Sequence, residues 1–206
     1  MKKHAPATIN NRKPILEVLK SIIANNDTGN ILEVASGTGE HSIFFAPHFP
    51  QQKWIPSDQN PESIASIKAW REEYPCANLQ SPLMIDVMES DWYLSLKTEK
   101  ISTIICINMI HIAPWEACLG LMEGAGDLLP LNGILYLYGA YKLNNQHTAP
   151  SNEEFDYYLR SQNPAWGVRN LEDVEKVANK YQLELEQKIA MPANNFSLIF
   201  RKTNIN

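Results

Sequence analysis

The stretch Asn30-Ile31-Leu32-Glu33-Val34-Ala35-Ser36-Gly37-Thr38-Gly39-Glu40-His41-Ser42-Ile43-Phe44-Phe45 starts as a short apolar strand, turns on two glycines and continues as a helix. Strand, glycine-rich turn and helix in that order form the first half of a nucleotide site in open α/β sheets. Glycine lets the backbone approach a ligand, and the turn falls at the carboxyl end of a strand, where such sheets bind their ligands. Asp58 ends the next apolar run, Lys53 to Ser57. It stands about 20 residues beyond the glycines, where a carboxylate can accept hydrogen bonds from both hydroxyls of a ribose.

Working outward, strands alternate with helices. Strands are expected at Leu83–Val87, Ile101–Ile107 and Gly133–Gly139. The spacing predicts helices over Pro14–Ala24 (ended by Asn25 to Gly29), from Pro61 past Trp70, over Pro114–Leu129 and over Leu171–Tyr181. This alternation predicts a parallel sheet with helical crossovers. The ending departs from it: Leu183–Ile189 and Phe196–Phe200 are separated only by residues 190–195. A parallel crossover needs roughly a dozen residues, so these two strands must form an antiparallel hairpin. The expected fold is α/β, doubly wound, with a mostly parallel seven-stranded sheet and a C-terminal antiparallel hairpin.

The 206 residues suit one domain with a substantial core. No apolar run approaches the roughly 20 residues needed to span a bilayer, and no apolar segment follows Lys2 and Lys3 as a secretory signal would require. A cytoplasmic location is expected, with no membrane partner. Cys76, Cys106 and Cys118 form no CxxC pair, which argues against a disulfide framework and a thiolate zinc site; no metal is expected. With 18 basic residues against 23 acidic ones and no basic cluster along the chain, nucleic acid is a disfavoured partner, although a small basic patch could still form in space.

A dinucleotide fold uses the same loop geometry, and two features argue against one. Ser42 stands where the G-x-G-x-x-G fingerprint places its third glycine or alanine. Glu33 precedes the turn; its carboxylate could orient the loop or bind an ammonium group, whereas a pyrophosphate would be repelled. Both favour S-adenosylmethionine as the cofactor.

Glu33 to His41 resembles motif I of the class I S-adenosylmethionine-dependent methyltransferases, E/D-x-G-x-G-x-G, with Ala35 in place of the first glycine. That methyl is expected to be harmless if φ there is negative. The segments Asn11–Leu16, Ser57-Asp58, Asn108-Met109-Ile110-His111-Ile112, Ser151–Asp156, Trp166–Asn170 and Met191–Asn195 resemble the methyltransferase-like protein 26 family over nearly the whole chain. The resemblance implies the Rossmann-like methyltransferase fold and the cofactor, and no substrate. The candidate cofactor contacts are Asn11, Arg12, Glu33, Ala35, Ser36, Gly37, Thr38, Gly39, His41, Asp58, Gln59, Asp86, Val87, Asn108 and Met109. Asp86 either accepts an adenine amine, with the Val87 amide donating to the ring, or caps a helix through Met88 or Glu89.

His111 is the candidate general base near neutral pH, with Asn108 orienting it or the substrate; hydrogen bonding to backbone is the alternative for His111. The Asn-Pro-Pro-Tyr motif of amino-methylating enzymes acting on adenine or glutamine is absent. Residues 138–170 read as an irregular substrate cover, with Tyr138, Tyr141, Trp166, Arg169 and Asn194 as candidate contacts and Arg169 suited to a carboxylate or phosphate. Tyr157 and Tyr158, on a short helix, are expected to be ordinary packing residues. The expected partner is a small-molecule or protein-side-chain acceptor. A catalytically silent cofactor-binding module and an NAD-dependent oxidoreductase are the alternative functions.

Overall fold

Pro6, rather than Pro14, opens the first helix. In the computed structural model, which describes residues 1–23 and 29–204, α1 runs over Pro6–Ile22 with Pro14 inside it. The expected helix end at residues 24–28 lies outside the described residues. Proline at the first helical position loses nothing, because that N–H has no intrahelical partner; Pro14 forgoes one helical hydrogen bond. The helix tolerates this because Ile15, Leu16, Val18 and Leu19 bury a continuous apolar stripe beyond it.

By contact density the chain divides into two units, Met1–Asp86 with Ser95–Cys106, and Val87–Leu94 with Ile107–Asn206. The first holds α1, β1 (Asn30–Val34), α2 (Glu40–Phe45), β2 (Trp54–Asp58), α3 (Pro61–Glu73), β3 (Leu83–Met84) and all but the last residue of β4 (Ile101–Ile107). Its strands are parallel, with Glu33 opposite Pro56 and Val34 opposite Cys106.

Proline is unusual in an inner strand because it cannot donate to the ladder. Here the alternation of β2 explains it. Trp54 directs both its amide and its carbonyl to the third-strand side, to Asn78 and Gln80, and the Asp58 carbonyl accepts from Ile85 on that same side. Pro56, two residues from each, therefore turns its ring nitrogen to the interval between Gln80 and Leu83, where no ladder forms. The same interval limits β3 to two residues, shorter than the expected Leu83–Val87.

The second unit holds α4 (Trp115–Leu128), β5 (Ile134–Gly139), β6 (Tyr141–Leu143), β7 (Gln146–His147), α5 (Pro150–Gln162), β8 (Arg169–Asn170), α6 (Leu171–Lys180), β9 (Leu183–Met191) and β10 (Asn195–Lys202). β10 runs antiparallel to both β5 and β9, which gives the expected hairpin. The large strands follow the order β3-β2-β1-β4-β5-β10-β9 in a mostly parallel seven-stranded sheet, and the α/β fold is the expected one. Residues 138–170 are more regular than expected: β7, β6 and β8 form a separate three-stranded sheet, with α5 between β7 and β8. Tyr157 and Tyr158 are 78% and 58% exposed on α5, so they are surface residues and not packing ones. No described helix is long and apolar enough to cross a membrane.

α4 packs tightly enough to need glycine. A Cβ on Gly120 would lie 1.9 Å from the Val87 carbonyl oxygen, and one on Gly124 would lie 2.1 Å from the Trp92 ring. Gly120→Ala should therefore destabilise the protein by about 1–3 kcal/mol despite the roughly 1 kcal/mol that alanine adds to helix propensity. Calorimetry should show Tm falling by several degrees; an unchanged or raised Tm would refute this tight approach of helix and backbone.

Candidate functional site

The turn after β1 is built from left-handed backbone. Ala35, Gly37 and Gly39 have φ of 55, 57 and 88°. Glycine adopts that region without cost, whereas alanine there costs about 1 kcal/mol or more. The condition under which the methyl would be harmless, a negative φ at Ala35, is not met: the turn imposes left-handed backbone on an alanine. A Cβ on Gly39 would meet the Ile67 backbone at 3.0 Å, while nothing among the described residues lies within 4 Å of the Cβ position of Gly37. Gly39 seats the turn on α3, and Gly37 leaves open space where another molecule can lie against the backbone.

Two buried carboxylates hold this turn. Asp58 Oδ2 accepts from the Gly37 amide at 2.9 Å and Oδ1 from the Asn60 amide at 2.8 Å. Both oxygens retain lone pairs for further donors. Glu33 lies beneath: its Oε2 accepts from Ser42 Oγ at 2.6 Å and Trp54 Nε1 at 2.7 Å, and its carbonyl accepts from Ser36 Oγ and Ser57 Oγ. Burial raises the Glu33 pKa to about 7 against the two bonds that lower it. Of the two roles expected of Glu33, these bonds serve the orienting one. Thr38 Oγ1 donates to Glu40, and the Thr38 carbonyl accepts from Ser66 on α3. Glu40 also accepts from the Ala5 amide at 2.7 Å and pairs with His4; these contacts outweigh its burial and hold its pKa below the usual range.

Asn11, Arg12 and His41 come together beside the turn. Asn11 Oδ1 meets His41 Nε2 at 2.8 Å, His41 stacks on Phe45, and Arg12 lies over the Phe44 ring at 4.6 Å. Burial lowers the His41 pKa to about 4, with Arg12 adding to the effect and Glu40 opposing it. The Arg12 Nε is buried with no hydrogen-bond partner among the described residues. Gln59 is exposed. Asp86 lies beyond the shortened β3, and turns rather than an α-helix follow it.

In the second unit Asn108 takes φ of 63°, a region asparagine tolerates better than most residues, and its amide donates to the Tyr138 carbonyl at 2.8 Å. Met109 to His111 form a short 3-10 turn. His111 is fully buried, its ring edge-to-face with Tyr141 and neither ring nitrogen hydrogen-bonded among the described residues. A Cβ on Gly139 would lie 2.4 Å from His111 Nε2 and 3.2 Å from Asn108 Oδ1, so only glycine lets these two side chains converge. Burial, reinforced by the Arg169 cation, pushes the His111 pKa down to about 3 against the opposing Gly167 backbone and Asp156. His111 is therefore a neutral imidazole at physiological pH, which corrects the expectation of a base poised near neutrality.

The expected acceptor contacts take different places. Tyr138 and Tyr141 are core residues, 4% and 0% exposed. Arg169 donates from Nε to the Ile110 carbonyl at 2.8 Å and from Nη2 to the Ala113 and Ala165 carbonyls, bracing the turn after Asn108. Those two nitrogens cannot also grip a substrate anion. Trp166 is half-buried, its amide bonded to the Asn163 carbonyl, and exposed Asn194 bonds Ser151 at the hairpin turn. Sequence reasoning missed Asp156, which gathers Lys142, His147, Arg160 and the Val168 amide. It stands inside a segment quoted for its resemblance, but no spacing marked it out. Among the described residues, no group of His, Cys, Asp and Glu is placed to hold a metal ion.

A family described as "Protein of unknown function (DUF938)" matches residues 2–202, and the chain belongs to that family. Its fold is similar to an O-methyltransferase family protein from Burkholderia thailandensis, with TM-score 0.80 and 11% identity over 97% of this chain and 58% of that one. It is also similar to human N-acetylserotonin methyltransferase in complex with its methyl donor (TM-score 0.75, 11% identity, 96% and 53% covered). A third similar structure is CalO1, a methyltransferase of calicheamicin biosynthesis bound to S-adenosylhomocysteine (TM-score 0.74, 12% identity, 94% and 54% covered). The chain thus spans a little over half the length of these proteins.

A carboxyl whose folded pKa is raised favours the folded state at low pH: Glu33 costs stability above about pH 7, and that cost fades as pH falls toward its ordinary value of 4.5. His41 and His111 act oppositely, because their depressed folded pKa values make the unfolded chain the better proton acceptor below about pH 6.5. The comparison with Glu33→Gln cancels the histidines. The stability difference between variant and wild type, read from Tm, should favour the variant increasingly from pH 5 to pH 8, by up to about 3 kcal/mol. A pH-independent difference would contradict the raised Glu33.

Proposed function

We propose that this DUF938 protein is an S-adenosylmethionine-dependent methyltransferase over residues 1–206, related to the methyltransferase-like protein 26 family, acting in the cytoplasm on a small molecule or protein side chain. The observation that carries the reading is the bond from the Gly37 amide to Asp58, which joins the left-handed turn to a buried carboxylate beside open space. A pocket for an adenosyl group with an amino-acid tail needs that pairing: backbone free to meet the tail, and an acceptor with spare lone pairs for ribose hydroxyls.

The cofactor, when bound, supplies an already activated methyl group on a sulfonium. The turn from Ala35 to Gly39 would lie against its aminoacyl part, and Asp58 would hold the ribose. Within the first unit, Asn11, Arg12, His41, Gln59 and Asp86 complete the proposed binding set. The protein's work is then to position the acceptor, which can contribute roughly 7–11 kcal/mol. With His111 neutral and enclosed, we assign it and Asn108 to positioning the acceptor, and residues 138–170 to covering it. An acceptor that is already nucleophilic, such as a thiolate or a neutral amine, suits a site with that histidine.

Calorimetric titration with S-adenosylmethionine, S-adenosylhomocysteine and NAD tests the reading. Both sulfur compounds should bind, and Asp58→Ala should weaken them at least tenfold, about 1.4 kcal/mol. Asp58→Asn, which keeps one acceptor for the Gly37 amide, checks that folding is intact. Binding of NAD alone would overturn the assignment. Transfer of labelled methyl to a component of a metabolite extract separates an enzyme from a silent binding module.

A further inference from the structure

The chain is acidic overall, yet its second unit gathers five of its eight basic residues around one groove. Lys142, Arg160, Arg169, Lys176 and Lys180 line this cavity of about 580 Å³, with Trp115, Leu119 and Val177 among its apolar residues. Not all five cations are available. Lys142 and Arg160 pair with Asp156 at 2.7 and 3.1 Å, and Arg169 braces backbone carbonyls. Lys176 and Lys180 differ: they stand one turn apart on α6, are exposed, and carry no ion pair among the described residues. The carboxylates that face the cluster are Asp156, Asp173 in the lining, and Glu116, which acts on Arg169, so positive charge remains in excess. The Arg169 guanidinium also lies 5.6 Å from the Trp115 ring centroid, next to exposed Leu119.

We propose that this groove is a ligand site for the phosphate monoester of a small planar or apolar molecule. The volume matches that of small-molecule sites, which span roughly 300–1,000 Å³. Two uncommitted ammonium groups on one helix face supply the point charges that phosphate accepts from lysine, and the fixed Arg169 adds field without donating its engaged nitrogens. Trp115, Leu119 and Val177 give the organic part an apolar surface, which inorganic phosphate alone would not use. Sequence reading had no means of finding the cluster, because its members come from β6, α5, β8 and α6.

Phenyl phosphate is the probe, titrated into the full chain by calorimetry in low salt. It should bind saturably, at least fivefold more tightly than inorganic phosphate, while phenol should give no response. Lys176→Glu with Lys180→Glu should weaken phenyl phosphate at least tenfold with Tm retained. Lys20→Glu with Lys68→Glu, an equal charge change on exposed positions of the first unit, should change it less than twofold. No saturable binding in the millimolar range, equal binding of phenol, or equal loss in the two double variants would overturn the proposal. A single-stranded oligonucleotide that binds more tightly than phenyl phosphate and loses affinity in the same lysine variant would replace it with a nucleic-acid surface. No measurement here uses S-adenosylmethionine, so the outcome is independent of the methyl-transfer reading.

Discussion

The first unit depends on one backbone constraint: a turn with three left-handed residues must be kept in place at the end of a parallel strand. Such a turn exposes amides that neither strand nor helix satisfies. Here the amide of Gly37 is satisfied by Asp58 and that of Ser36 by the Ser57 carbonyl, so the end of β2 completes the end of β1. The parallel pairing of those strands is thereby tied to the shape of the loop, and a change in their register would leave the turn without its acceptors.

Two carboxylates close together in this unit do different work because their surroundings differ. Asp58 meets two amides at the edge of open space. Glu33 is enclosed, and its partners are a hydroxyl and an indole, neutral donors that offset only part of the desolvation. The motif's acidic residue is thus an internal tie between β1, α2 and β2, while the aspartate one strand later holds the backbone of the turn itself. The same carboxylate chemistry thus holds the turn at one position and ties three elements together at the other, according to the donors each meets.

Much of this was legible in the sequence because it is local or periodic. The glycine turn, the helix boundaries set by Pro61 and Pro114, and the hairpin forced by a short connection all follow from rules acting over a few residues. Asp58 was found by its spacing from the turn. What escaped was set by tertiary packing: the positive φ of Ala35, the start of α1 at Pro6, and the burial of His111 against Gly139. A histidine in sequence carries no sign of whether its ring will meet water or a tyrosine face. Asp156 escaped for a related reason, since Lys142 and His147 reach it from β6 and β7 and only Arg160 shares its helix.

Arg169 shows how far residue type alone can mislead about function. A guanidinium beside a tryptophan and a glycine has the profile of an anion clamp, yet its planar fork suits three backbone carbonyls equally well. A turn built on a left-handed asparagine and a 3-10 step leaves carbonyls without helical partners, and a half-buried guanidinium is a strong donor set for them. Its charge is not lost to the surface by this use: it persists in the field around the groove while the donors are committed inside. Lysine, a point charge on a flexible stem, could not span those carbonyls at once, which is why the bracing residue is arginine and the outward cations on α6 are lysines.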